Sequence, residues 1–136
     1  MPDFSGSSID HVNLAVSDVE RSRRFYEEAL GSIGITLLLT IPAEHSGSRG
    51  AMLGFGSHPK PFFWVVGEGR VGENTHVAFT VEDRAAVHAF HAAAVAAGGR
   101  DNGAPGIRTM YHPSYYGAFV LDPDGINVEA VCHAAA

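Results

Sequence analysis

The sequence predicts an α+β fold made of two copies of one β-α-β-β-β module, read over 8–66 and 73–132. Three observations carry this. First, DHVNLAVSD (10–18) lies over THVAFTVED (75–83) at a constant offset of 65, placing His11 on His76, Val12 on Val77, Val16 on Val81 and Asp18 on Asp83. Second, the same offset carries on without a gap, with Phe25 falling on Phe90 and Gly34 on Gly99. Third, each opening is followed by a helix-like segment and then by three strand-like runs.

The elements follow in order. HVNLAV and HVAFTV alternate and are rich in β-branched residues, as strands are. Asp18 and Asp83 stand at N-cap positions, where a carboxylate accepts from the unpaired amides of a first helical turn. VERSRRFYEEAL and RAAVHAFHAAAVAA are the helices, ended by Gly31 and Gly98–Gly99. In the first module the strands ITLLLTI, GAMLGF and PFFWVV come next. In the second they are IRTMYH, YYGAFVL and INVEAV. AEHSGSRG and RDNGAPG read as polar, glycine-rich loops. No Pro- or Ser-rich linker divides the halves, so one domain of two repeats sharing a core is expected.

Composition narrows the function. The chain has 136 residues, 46% of them apolar, which is enough for a core. Its net charge is −6 and it lacks a basic block, so neither nucleic acid nor an anionic membrane is expected as a partner. Arg21, Arg23 and Arg24 sit among Glu20, Glu27 and Glu28 as a solvated helix face. Cys132 is the only cysteine, so no intrachain disulfide can form, and it is read as a packing residue. The opening MPDFSGSSID shows no signal pattern and no apolar run is long enough to span a bilayer, giving a cytoplasmic expectation.

Strand alternation then assigns faces. Val12, Leu14 and Val16 pack on the helix, and His11, Asn13 and Ala15 point away. Val77, Phe79 and Val81 pack, and His76, Ala78 and Thr80 point away. Ile126, Val128 and Ala130 pack, and Asn127, Glu129 and Val131 point away. His11, His76 and Glu129 therefore share the face opposite the helices. Subtracting the offset from Glu129 lands on Trp64, so the repeat has four equivalent positions: His11, Trp64, His76 and Glu129. Two histidines and a carboxylate form the facial set of non-haem metal sites, which leaves positions open for substrate or water. If Asp122 and Gly125 close the DPDG hairpin, Leu121 pairs with Ile126 and Ala118 with Glu129, which brings Tyr116 to the same face as a proton donor or substrate-orienting phenol. Trp64 is placed to stack on a flat ligand. His88 and His91, three apart among alanines, read as a helix face, and His45 and His58 as loop residues.

IDHVNLAVSDVERSRRFYEEALG, THVAFTVED and FVLDPDGINVEAV resemble the vicinal oxygen chelate superfamily, which groups glyoxalases, fosfomycin-resistance transferases, methylmalonyl-CoA epimerases, extradiol dioxygenases and bleomycin-resistance proteins. The resemblance spans residues 8 to 132. It implies a cup-shaped mixed sheet, a half-barrel with helices outside, and one divalent metal (Fe, Mn, Ni or Zn) held by His11, His76 and Glu129. It also implies a homodimer in which a site can draw on both chains, and a small-molecule substrate presenting adjacent oxygens. His112, Tyr115 and Tyr116 match the residue types that dioxygenases add for catalysis and substrate binding, and Asn13 and Trp64 complete the expected substrate wall. Trp64 stands where the family's glyoxalases carry a carboxylate, so the expectation is a dioxygenase-like or lyase/isomerase-like enzyme other than lactoylglutathione lyase. The competing expectation is a metal-free, bleomycin-resistance-like binding protein.

Overall fold

A computed structural model describes residues 6–47 and 50–135. The opening MPDFS and the tip of the loop AEHSGSRG lie outside the described residues. The first module comprises β1 (Val12–Ala15), α1 (Val19–Gly31), β2 (Thr36–Ile41), β3 (Met52–Ser57) and β4 (Lys60–Val66). The second comprises β5 (His76–Thr80), α2 (Arg84–Ala96), β6 (Arg100–Ile107), β7 (Tyr116–Leu121) and β8 (Asn127–Cys132).

The repeat in sequence is a repeat in topology. The modules form two four-stranded mixed sheets, ordered β1-β4-β3-β2 and β5-β8-β7-β6. In each, the first strand runs parallel to the last and the other pairings are antiparallel. Among the described residues no barrel closes. The caps are as expected: Asp18 accepts from the Arg21 amide at 3.1 Å and Asp83 from the Ala86 amide at 2.8 Å. Gly98 takes the left-handed conformation after α2 (φ 104°), whereas in the first module Gly34 takes it (φ 83°), three residues beyond Gly31.

One core serves both modules. Phe25, Tyr26 and Leu30 of α1 pack with Phe55 and Phe63 of the first sheet and with Phe79, Phe90 and Val128 of the second module. Phe63 meets Phe79 edge-to-face at 5.2 Å. The DPDG turn is tied to the other module. The Tyr26 hydroxyl donates to Asp122 at 2.6 Å in the interior. Asp124 accepts from the Ser17 hydroxyl and from Arg21, the latter at 3.1 Å. On the outer face of α1, Arg23 pairs with Glu20 and Glu27.

Two expectations are corrected here. RDNGAPG is not a loop but most of β6, and IRTMYH is not a strand: beyond Ile107 the chain turns back through 108–115. β6 is the edge of its sheet and its register slips on both sides of Gly103. A bulged edge strand tolerates glycine and proline, because its outer amides have no partner to lose. The β7–β8 hairpin is also one residue out. Asp122, not Leu121, closes on Ile126: its amide donates to the Ile126 carbonyl at 2.8 Å and its carboxylate accepts from the Ile126 amide at 2.9 Å. Gly125 completes the three-residue loop at φ 85°. Leu121 therefore pairs with Asn127 and Phe119 with Glu129. A one-residue slip exchanges the faces of a strand.

Candidate functional site

The slip decides which tyrosine faces the site. Tyr116 pairs with Cys132 and points to the helix side, where His88 Nε2 lies 2.6 Å from its hydroxyl and the Arg84 guanidinium sits 4.6 Å above its ring. The structure does not bring Tyr116 to Glu129. Tyr115, Gly117 and Phe119 take the face of Glu129 instead. A methyl group placed on Gly117 would touch Tyr115 at 3.3 Å and Phe119 at 3.5 Å, so both rings flank that glycine on one side of the sheet.

On this face His76 Nε2 lies 3.9 Å from Glu129 Oε2. Two ligands on one divalent ion, each about 2.0–2.2 Å from it, sit roughly 3–4 Å apart, so this pair has the spacing of a half-site. His76 is well exposed and Glu129 buried. Burial pushes the Glu129 carboxyl above the usual range, while His76 and Arg108 pull the other way. Burial and the Glu129 charge both raise the Tyr115 phenol, which keeps it a proton donor at neutral pH. His112 stands one ring further out, 5.6 Å from Tyr115. Its Nε2 is 2.7 Å from His133 Nδ1 and its Nδ1 accepts from the Ser114 amide, so it braces the 108–115 turn.

The equivalent wall of the first module carries His11, Asn13 and Trp64. These line one cleft of about 370 Å³ with Met52, Lys60 and Ile41. The Trp64 indole lies across Gly54, where an added Cβ would come within 2.8 Å of two of its ring carbons. His11 Nδ1 is 2.6 Å from Asp10 Oδ2, and Lys60 Nζ holds the other Asp10 oxygen at 2.6 Å. A carboxylate on Nδ1 fixes the tautomer and leaves Nε2 available as a metal ligand. Asp10, Lys60, Arg108 and Phe119 were not singled out in the sequence. Asp10 precedes β1, where strand alternation gives no facing, and the other three depend on pairings that no local pattern reveals.

His11 and His76 share a second cleft of about 400 Å³, walled by Ile9, Phe62, Phe63 and Phe79. Glu129 does not line it. Among the described residues no three His, Cys, Asp or Glu side chains converge to hold an ion. Within one chain His11 lines a cleft with Trp64, and His76 lies beside Glu129. His88 and His91 serve different partners, Tyr116 and Asp101, as an ordinary helix face does. Among the described residues no helix is long and apolar enough to cross a membrane.

Comparison with known proteins agrees with the architecture. The family model described as Glyoxalase/Bleomycin resistance protein/Dioxygenase superfamily matches residues 8–130. A glyoxalase/bleomycin resistance protein from Albidiferax ferrireducens is similar at 28% identity and TM-score 0.76, over 90% of this chain and 97% of that one. A variant of glyoxalase I from Zea mays is similar at 26% identity and TM-score 0.68, over 90% of this chain but 46% of that longer one. A glyoxylase/bleomycin resistance protein/dioxygenase domain from Frankia shares the fold at 19% identity and TM-score 0.69, over 94% and 98%. No curated protein matches the sequence. With its duplicated topology and the match across nearly its whole length, the chain belongs to the glyoxalase/bleomycin resistance protein/dioxygenase superfamily.

Proposed function

We propose that the protein is a divalent-metal-dependent enzyme acting on a small molecule with adjacent oxygens, and that its complete site forms between two copies of the chain. The observation that carries this is the pair of equivalent half-sites. His76 and Glu129 lie side by side in one module, and the carboxylate-oriented His11 stands at the matching position of the other. Among the described residues of one chain the three do not converge on a common point. A second copy related by a twofold axis sets the first module's wall of one chain against the second module's wall of its partner, twice over. The exposed apolar side chains Ile9, Ile107, Met110 and Tyr111 flank these walls and favour such a contact.

In the joined site His11, His76 and Glu129 would hold the ion, which supplies Lewis-acid or redox activation of the bound oxygens. The chain's own groups do the rest. Tyr115 holds a phenolic proton to donate to oxygen on which charge develops. Trp64 offers a flat face for stacking and Asn13 an amide for orienting the ligand. The fourth equivalent position holds an indole rather than a carboxylate, which sets this site apart from the lactoylglutathione lyase pattern. A titration with Fe(II), Mn(II), Ni(II) and Zn(II) tests the proposal, and His76→Ala and Glu129→Ala are expected to abolish tight binding. No binding of any of the four by the wild-type protein would overturn it.

The second reading is a metal-free binding protein that holds a flat ligand against Trp64 and Phe62. That His11, His76 and Glu129 do not converge among the described residues of one chain supports it. Wild-type protein that takes up no metal yet binds a flat aromatic probe is its expected result.

A further inference from the structure

Among the described residues, the Glu129 face carries a cation without a carboxylate partner. Arg108 stands at the start of the 108–115 turn, half-buried, with its guanidinium stacked 4.9 Å from the centre of the Phe119 ring. Phe119 pairs directly with Glu129, so the guanidinium shares the face of the half-site. One of its amino groups donates to the Ala104 carbonyl at 2.8 Å. Two glycines of β6 clear its seat: a Cβ at Gly106 would lie 2.9 Å from Nη1, and one at Gly103 would lie 3.2 Å from Nη2. The bulged, glycine-rich character of β6 thus has a local use.

Three other cations are held by carboxylates, Arg21 by Asp124, Arg23 by Glu20 and Glu27, and Lys60 by Asp10. What distinguishes Arg108 is its place over Phe119, on the face of Glu129. Among the described residues no carboxylate lies within ion-pair distance of Arg108, although Glu129 is near enough to feel its charge. A guanidinium presents five N–H donors in a fixed plane, and among the described residues they make one hydrogen bond. Its planar fork matches a carboxylate, and stacking on a ring holds the fork in one orientation. The Tyr115 hydroxyl, on the same face, is a further donor. The turn itself is fixed by Arg108 N donating to the Tyr115 carbonyl at 2.7 Å, so the two residues move together.

We infer that Arg108, stacked on Phe119 and seated against Gly103 and Gly106, is a carboxylate subsite that makes the ligand of the Glu129 face a small organic anion. This rests on the proposal above that the ligand lies on that face, and it adds the ligand's charge and the residue that reads it. Glu129 makes the discrimination stringent. Arg108, whose charge Glu129 already feels, offsets the repulsion that Glu129 would exert on a ligand carboxylate.

The test uses benzoate as probe and benzamide as its neutral counterpart, titrated into the full-length wild-type protein while the arginine Nε–H signals are followed by NMR. Benzoate is expected to shift the Arg108 signal and to bind about tenfold more tightly than benzamide, as a charge-assisted bidentate contact requires. Arg108→Gln is expected to erase the preference. Arg108→Lys, which keeps the charge but not the planar fork, is expected to retain only a small part of it. Equal binding of the two probes, or benzoate binding by Arg108→Gln at the wild-type level, would overturn the subsite. Metal uptake by the wild-type protein is measured separately. Uptake without benzoate preference removes the subsite alone, and preference without uptake leaves the subsite standing while removing the metal-enzyme proposal.

Discussion

Replacing Tyr26 by Phe removes one hydroxyl from the joint between the modules. That hydroxyl donates to Asp122 Oδ2 at 2.6 Å, whereas both backbone donors to Asp122, from Asp124 and Ile126, go to Oδ1. Among the described residues, the variant therefore leaves Asp122 Oδ2 without a hydrogen-bond donor in a residue only 3% exposed. A hydrogen bond to a charged group contributes about 1.5–3 kcal/mol, so the expected loss is about 2 kcal/mol. For a chain this long that corresponds to a fall in Tm of about 6–8 °C. The loss also depends on pH. Burial already holds the Asp122 carboxyl above its ordinary value, and Tyr26 opposes that shift. Without Tyr26 the folded-state pKa rises further, so the deficit is full above the variant's pKa, shrinks as pH falls from there to the wild-type value, and is smallest below it. Urea melts at neutral and acid pH, in a double-mutant cycle with Asp122→Asn, measure both effects. A loss below about 0.5 kcal/mol at neutral pH, or one that grows on acidification, would refute the reasoning.

Three further outcomes are expected. Glu129 has a folded-state pKa raised chiefly by burial, so the folded chain loses stability as pH rises from the unfolded value through the folded one. Glu129→Gln should therefore stabilise the protein at neutral pH, by about 1.4 kcal/mol for each unit of the shift, with no gain in acid; chemical melts at the two pH values check it. Asp10→Ala should weaken metal binding by about 10–100-fold in calorimetry, because His11 loses the group that orients it, while thermal stability hardly moves since Asp10 is exposed. Tyr116→Phe should leave ligand and metal binding unchanged and cost about 1 kcal/mol through the lost contact with His88, whereas Tyr115→Phe should alter binding or turnover with little effect on stability. Titrations of both variants, paired with melts, separate the two tyrosines.

Local periodicity made most of the fold legible. The alternation in HVNLAV and HVAFTV, the capping aspartates and the internal offset placed two helices and seven of the eight strands, and with them the facing of His11, His76 and Glu129. β6 was hidden because a bulged edge strand carrying Gly103, Pro105 and Gly106 has the composition of a loop. The identity of the tyrosine was hidden by one backbone detail: the Asp122 carboxylate captures the Ile126 amide, lengthens the hairpin loop and turns Tyr115 rather than Tyr116 toward Glu129. Asp10 and Arg108 escaped notice because their roles rest on what lies across space, a lysine fifty residues on and two glycines of a neighbouring strand.

Mixing two defective chains tests the central claim, that half-sites of different copies combine. His11→Ala and His76→Ala are each expected to lose tight metal binding when pure. Co-refolded in equal amounts, half of the dimers are mixed, and each mixed dimer has one site built from the intact His11 of one chain and the intact His76 and Glu129 of the other, which restores about one quarter of wild-type metal binding. No restoration, with mixed dimers verified, would contradict the account.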